Sequence, residues 1–409
     1  MDAKKIMNIF EETSYVRMGG TPEELKTAEY LVEQCRTFGA DAKIEAFQVE
    51  MGDVTTAELL ADGEKIACKG YCGAGCAEVT APMYYLRDGA GASLEACRGK
   101  IVMIDGYLGY WRYQDLLKYG AVGFITYDGN ANYADFDMDD RELRPHVANG
   151  NKLPGVNINA KDAIRLVRDG VQNVTIRLEQ REYTADSHNV ILDLPGEIPE
   201  YIVLTAHYDS TSLSQGVYDN MSGCVGLLAM AETFCQNPHR YGLRFIWCGS
   251  EERGLLGSKA YCANHESDLE KIVLNVNLDM IGCIMGKFIA CSTAEMSLVH
   301  YIRYFAEELG FGIRSYQDVY SSDSTPFADR GIPAVSFARD APGNTATIHN
   351  RYDTIAVMSG RQMVLDIEFI TAFVDRMANA VHCPVPRQIP DNMKEKLDEY
   401  LARKRKKQD

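Results

Sequence analysis

Beyond His188 the chain alternates short apolar runs with polar loops and helical stretches. Few arrangements other than a parallel sheet covered by helices accommodate that alternation. Residues 201–206, 243–248, 272–278 and 332–337 read as buried strands, and 222–234, 294–309 and 361–382 as the helices between and after them. In such open sheets ligands bind beyond the carboxyl ends of the strands, so the residues that follow each run are the ones to inspect.

Those positions are polar. His207 and Asp209 follow the first run, in Ala206-His207-Tyr208-Asp209-Ser210. Asp219 lies in the next loop, in Asp219-Asn220-Met221-Ser222-Gly223, immediately before a helix. Glu251 and Glu252 follow the second run, Asp279 ends the third in Asn277-Leu278-Asp279-Met280, and His349 sits in a late loop that continues to Asp353 and Thr354. A lone His-x-Asp is more often a surface hydrogen-bonded pair, and a lone Glu-Glu a solvated turn. Five nitrogen and oxygen ligands at corresponding strand ends are a different matter, because one cleft can collect them. Three carboxylates crowded there cost several kcal/mol unless their pKa values rise or cations neutralise them.

Two divalent ions meet that demand. Imidazole and carboxylate without thiolate suit Zn²⁺, with Mn²⁺ or Co²⁺ able to substitute. A co-catalytic pair needs one bridging carboxylate and, for each ion, an imidazole and a terminal carboxylate. The set His207, Asp219, Glu252, Asp279 and His349 matches that count.

In this order the motifs His-x-Asp, Asp-Asn-x-Ser-Gly, Glu-Glu-x-Gly, Asn-x-Asp-Met and a late His resemble the M28 aminopeptidases, a family of di-zinc exopeptidases. The resemblance implies that His207 and Asp279 hold one zinc, Glu252 and His349 the other, and that Asp219 bridges them. It further implies that Asp209 fixes the His207 tautomer and that Glu251 is the general base for a metal-activated water. The implied substrate is a peptide with a free N-terminus. The implied fold is α/β, a mostly parallel-containing central sheet flanked by helices of the zinc-peptidase (phosphorylase-hydrolase-like) kind. Residues 51–182, with short runs at 100–104, 121–127, 154–158 and 174–178, resemble an inserted, mainly-β protease-associated (PA) domain, which in the family caps the cleft. The catalytic domain is then discontinuous, 1–50 with 183–383, and 384–409 forms a C-terminal tail helix. At Ser322-Asp323-Ser324 the chain departs from a pattern in which many members have Ser-Asp-His, so Asp323 receives no catalytic role.

Rival readings stay open on sequence alone: an M28-type carboxypeptidase, a single-zinc glutaminyl cyclase, and a non-catalytic binding module on the same fold. Preference for the cyclase is reduced by the Asp219-Asn220-Met221-Ser222-Gly223 loop, and for the binding module by the presence of all six candidate ligand and base positions.

The remaining features are less specific. A helix is expected from Pro22 to about Phe38, with Thr21 and Glu24 at capping-box spacing and Gly39 at its end. Cys68, Cys72 and Cys76 are spaced by four, which matches no standard zinc motif and reads as unligated thiols, with a structural metal or a disulfide as runner-up. The basic run from Arg403 to Lys407 reads as a solvated helix end. Phe327, Phe337 and Arg339 are candidates for a substrate-pocket wall or equally for core and surface roles. A formal charge of −16 argues against nucleic acid as a partner. The opening residues show no signal-peptide core, and no run nears the roughly 18 apolar residues of a membrane span. Twelve scattered cysteines then favour a reducing, cytoplasmic setting. Oligomeric state is open.

Overall fold

The computed structural model describes residues 1–89, 91–106, 108–132 and 138–405, so Lys406 and Lys407 of the basic run lie outside the described residues. Two compact units divide the chain, one made of Met1–Val49 with Asp186–Asp409 and the other of Glu50–Ala185.

The first unit opens with helices α1 (Ala3–Thr13) and α2 (Pro22–Thr37). There follow β1 (Asn173–Leu194, entering from the second unit), β2 (Ile198–His207), α3 (Ser222–Phe234), β3 (Tyr241–Cys248), α4 (Leu256–Asn264) and β4 (Ile272–Leu278). The remainder comprises β5 (Lys287–Thr293), α5 (Met296–Glu308), β6 (Arg314–Gln317), α6 (Ser324–Asp329), β7 (Ala334–Asp340), α7 (Gly360–Ala378) and α8 (Asp391–Tyr400). Side by side the strands run β6-β5-β7-β4-β2-β3-β1. The centre, β7-β4-β2-β3, is parallel, whereas β5 meets β7 and β1 meets β3 antiparallel.

Both faces of the central strands are buried, as a parallel sheet requires. Along β2, Ile202, Leu204 and Ala206 enter the core shared with α1, α2, α3, α5 and α7, while Val203 enters a smaller core with Tyr261 and Phe327 on the opposite face. Helix α3 has almost no exposed side because it lies beneath the larger layer. Gly223 and Gly226 let it approach β4: a Cβ at Gly223 would stand 2.3 Å from the Leu278 carbonyl oxygen.

Strand β7 begins two residues later than expected, since the Ile332 amide still closes the end of α6 by donating to Phe327 O. Helix α2 departs from expectation in its cap. Thr21 Oγ1 does accept from the Glu24 amide, at 3.4 Å, but the Glu24 side chain does not return to Thr21. It turns inward and accepts from Ser187 Oγ (3.0 Å), the His188 amide (2.9 Å) and Tyr208 Oη (2.5 Å), and it pairs with His188 Nδ1 (3.0 Å). Buried donors outcompete an exposed capping interaction that water can replace.

The second unit has strands Ala77–Tyr85, Ile101–Met103, Gly123–Asp128 and Gly155–Asn159 in parallel array, edged by Cys68–Gly70 antiparallel to the last. Alongside them stand helices Gly91–Glu95, Tyr110–Lys118, Pro145–Ala148 and Ala160–Arg168. Its core, with Tyr113, Phe124 and Ile176 at the centre, is separate from that of the first unit. None of Cys68, Cys72 and Cys76 forms a disulfide, nor does any of the other nine cysteines. Cys72 donates to Gly52 O and Cys76 to Gln180 O.

Arg17, just after α1, is fully buried and donates to backbone carbonyls. Its guanidinium reaches Tyr208 O, Thr13 O (3.3 Å), Tyr15 O (3.1 Å), Gln215 O and Gly216 O (2.6 Å). One side chain thus ties the residue after β2 to the loop that precedes α3. Replacing Arg17 with Ala orphans several buried carbonyls, and urea unfolding is expected to reveal a loss of about 3 kcal/mol or more; a loss below about 1 kcal/mol would contradict this role. The Glu24 hydrogen bond raises the His188 pKa, against the lowering effect of burial. A raised histidine stabilises the fold fully below its unfolded pKa of about 6.5 and loses that contribution as pH rises through the folded value. The stability gap between wild type and His188→Gln should therefore narrow from pH 5.5 to pH 9, and a gap that widens would exclude this assignment.

Candidate metal centre

The sheet registers bring the ligand-bearing ends together. Cys248 at the end of β3 pairs with His207 at the end of β2, and Asn277 of β4 pairs with Thr205. Residues just past these ends leave the sheet at one edge, where their side chains no longer alternate between the two cores.

Two groups of three result. His207, Asp219 and Asp279 form the first, with His207 Nε2 at 3.2 Å from Asp219 Oδ1 and 3.7 Å from Asp279 Oδ1. Asp219, Glu252 and His349 form the second, with His349 Nε2 at 3.1 Å from both Asp219 Oδ2 and Glu252 Oε2. Asp219 belongs to both and offers a different oxygen to each. Glu251 lies beside the first group without joining it, its Oε2 3.9 Å from His207 Nε2. All the sequence-predicted ligands are therefore in one cluster. The first group is buried, whereas the His349 side chain is 44% exposed, so the cluster opens to solvent on the side of the second.

The Asp-Asn-x-Ser-Gly motif has a mechanical reading here. Asn220 Nδ2 donates to Leu278 O (2.9 Å), and its Oδ1 accepts from the amides of Met280 (2.9 Å) and Gly223 (3.0 Å). Ser222 Oγ accepts from the Ile281 amide (3.0 Å) and donates to Tyr218 O (2.7 Å). The two side chains fasten the Asp219 segment to the Asp279 segment. The Asp219–Asn220 peptide bond is cis.

Other contacts hold the remaining members. Asp209 accepts from the amides of Glu251 (2.9 Å) and Glu252 (3.2 Å), which fixes the acidic pair, and faces His207 Nδ1 at 3.5 Å. Ser250, Met280 and His349 have positive φ of 54°, 64° and 59°. Each such non-glycine residue costs on the order of 1 to 3 kcal/mol and persists where surrounding contacts leave no alternative. At Ser250 that contact includes Ser187 Oγ at 2.8 Å, and a Cβ at Gly19 would stand 1.9 Å from Ser250 Oγ.

The electrostatics are those of a site short of positive charge. Burial would lower His207, but Glu251, Asp209, Asp219 and Asp279 hold it well above the ordinary imidazole range. Burial would likewise lower His349, but Glu252 and Asp219 raise it to about 11. Burial and the neighbouring Asp219 push Glu252 to about 7, and burial with Glu252, Asp323 and Asp279 pushes Glu251 well up. Asp219, between two imidazoles, is lowered despite its burial. Asp279 Oδ1 is buried and has no hydrogen-bond partner among the described residues. A cation in each group would satisfy that oxygen and offset the crowded carboxylates, and a donor set of imidazole nitrogen and carboxylate oxygen fits zinc.

Sequence reading assigned no role to several residues that shape this cluster, Asp323 among them. Asp353 is fully buried and accepts from the amides of Tyr218 (2.8 Å) and Asp219 (3.1 Å), tying the His349 loop to the Asp219 loop; burial and the Asp219 charge push it to about 6. Asp323 is fully buried as well, raised to about 6 by burial first, with Asp209 and Asp279 adding to the shift and His207 opposing it. The Tyr320 phenol is held well above its ordinary range by burial and by the nearby Asp279 and Asp219. Only their position within motif-rich loops could have flagged them. Of the suggested pocket residues, Phe327 and Phe337 are buried in opposite cores, and Arg339 forms a bidentate pair with Asp366 at 2.8 and 2.5 Å. None of the three is in the cluster.

Comparison with known proteins agrees with this geometry. Residues 189–369 match peptidase family M28. Aminopeptidase YwaD of Bacillus subtilis (strain 168) is 28% identical over 377 residues, 88% of this chain and 80% of that one. Leucine aminopeptidase 2 of Trichophyton rubrum is 33% identical over 126 residues, 30% of this chain and 26% of that one. Among solved structures, an aminopeptidase from Aneurinibacillus sp. strain AM-1 superposes with a TM-score of 0.76 at 25% identity, covering 94% of this chain and 96% of that one. A zinc aminopeptidase from Bacillus subtilis gives 0.75 at 27% identity, covering 95% and 98%. The segment that matches the family model contains every member of both groups, and the likeness to these aminopeptidase structures runs over nearly the whole chain.

Proposed function

We propose that this chain is a metal-dependent aminopeptidase that removes N-terminal residues from peptides and holds two zinc ions, one in each group of three. The observation that carries this reading is Asp219, which turns Oδ1 to His207 and Oδ2 to His349. His207 and Asp279 complete the buried group, Glu252 and His349 the open one. Relatives named as zinc aminopeptidases support the amino-terminal direction of cleavage, as does an acid-rich cluster suited to an ammonium group.

Bound zinc would supply Lewis acidity, polarising the scissile carbonyl and lowering the pKa of a water molecule. Glu251 takes the proton of that water as its oxygen bonds to the carbonyl carbon, then delivers the proton to the departing nitrogen as the C–N bond breaks. The products are a free amino acid carboxylate and a shortened peptide with a new amino terminus. Burial, with the neighbouring Glu252, Asp323 and Asp279, raises Glu251 above the ordinary carboxylate range, which makes it a stronger proton acceptor. Asp209 orients the pair by holding the Glu251 and Glu252 amides.

The 50–185 unit is read as a PA-type insert on its parallel strand array and its position in the chain. A cytoplasmic setting is supported by twelve cysteines, none of them in a disulfide. Among the described residues, no helix is long and apolar enough to cross a membrane.

Replacing Glu251 with Gln is expected to lower kcat on a leucyl p-nitroanilide by about 10²-fold or more with metal content unchanged; a near-normal rate would remove Glu251 from the mechanism. Elemental analysis of the purified protein should return about two zinc ions per chain, falling to about one in His349→Ala, whose lost ligand belongs to the exposed group. N-acetylation of the substrate should abolish cleavage, and equal rates on free and acetylated peptides would rule out the aminopeptidase reading.

A further inference from the structure

The C-terminal segment, which sequence reading left as a solvated helix end, is built against a loop of the candidate site. Ile389, Met393 and Leu397 recur every four residues and are buried with Ala328, Ala334 and Val319. Beside that stripe runs a polar one at the same spacing. Asn392 Nδ2 donates to Gln317 Oε1 (2.7 Å), Lys396 Nζ to Asp318 Oδ1 (2.9 Å), and Tyr400 Oη lies 2.6 Å from Ser321 Oγ. Three successive turns of α8 therefore meet positions 317, 318 and 321 in order. Arg403 completes the attachment with a fork onto Asp329 at the end of α6, at 2.5 and 2.7 Å.

Tyr320 lies between the residues those contacts hold, and its phenol is close to Asp279 and Asp219. Its carbonyl accepts from the Ser322 amide (2.9 Å) and Thr325 Oγ1 (2.8 Å). Ser322 in turn accepts from Asn277 Nδ2 at 3.0 Å, two residues before Asp279. The segment is thus clamped between the tail on one face and the strand that carries a candidate ligand on the other.

We propose that residues 389–403 are a positioning strap that holds the 317–321 segment, and with it the Tyr320 side chain, at the substrate side of the cluster, so that the C-terminal helix governs how tightly peptide binds. This rests on the aminopeptidase reading. The polar stripe is solvent-exposed, and bonds of that kind contribute little each to global stability, so their removal should loosen the segment without unfolding the chain.

The test is the full-length triple variant Asn392→Ala, Lys396→Ala, Tyr400→Phe, with Lys394→Ala, whose partner Asp391 lies on α8 itself, as control. Amide hydrogen exchange over residues 316–323, zinc content, and kcat and KM on leucyl p-nitroanilide are measured for each. Faster exchange over 316–323, unchanged zinc, and a KM raised on the order of tenfold with a smaller change in kcat are expected in the triple variant but not in the control. An unchanged KM overturns the proposal whatever the exchange does, and so does unchanged exchange. Should the wild-type protein cleave no peptide, the aminopeptidase reading falls by itself, and the strap stands or falls on the exchange measurement.

Discussion

Asp219 must offer one oxygen to each of two groups that face different directions, and the surrounding structure is arranged to keep its backbone still. Asp353 accepts from the amides of Tyr218 and Asp219, Asn220 and Ser222 bind the strand end that carries Asp279, and Arg17 grips the carbonyls of Gln215 and Gly216 just upstream. A side chain on a free loop would average over many positions. Held from three sides, it becomes a fixed point to which the other ligands are referred.

That arrangement concentrates negative charge. Asp209, Asp219, Glu251, Asp279, Asp323 and Asp353 are all buried at one end of the sheet. Two of them have well-defined compensation in the protein itself: Asp209 takes two backbone amides, and Asp353 takes two more and lies near the Arg17 guanidinium. The two groups have no such backbone compensation, and the raised His207, His349 and Glu252, with Glu251 beside them, express the imbalance. Stability and function pull apart here, since each buried acid weakens the folded chain alone and strengthens its hold on cations.

The scaffold absorbs this cost through its two cores. Strands β2, β3 and β4 are buried on both faces, with Thr205, Arg244, Asn275 and Asn277 as buried polar members, and most of α3 lies inside the larger layer. A rigid sheet edge is a better platform for ligands than a loop, because its positions are set by hydrogen-bond register rather than by side-chain packing alone.

Much of this was legible in the sequence. Mostly apolar runs of strand length mark β2, β3 and β4 within a few residues, since burial on both faces favours apolar side chains and admits polar ones only where partners satisfy them. The ligand types at the ends of those runs disclosed the chemistry, because imidazole and carboxylate at that recurrence have few other uses. Strands β5 and β6 and the helices α1, α4 and α6 went unread; β6 is short and polar, and α6 is a bare six residues whose burial comes from its neighbours. What only the tertiary structure decided is which atom meets which. Arg17 and Asp353 lie 202 and 134 positions from Asp219 or its loop partner in no recognisable motif, and the inward turn of Glu24 reverses the capping role its local spacing suggests. Local sequence determines periodicity and donor chemistry, while the choice among competing partners is made by burial, which depends on the whole chain at once.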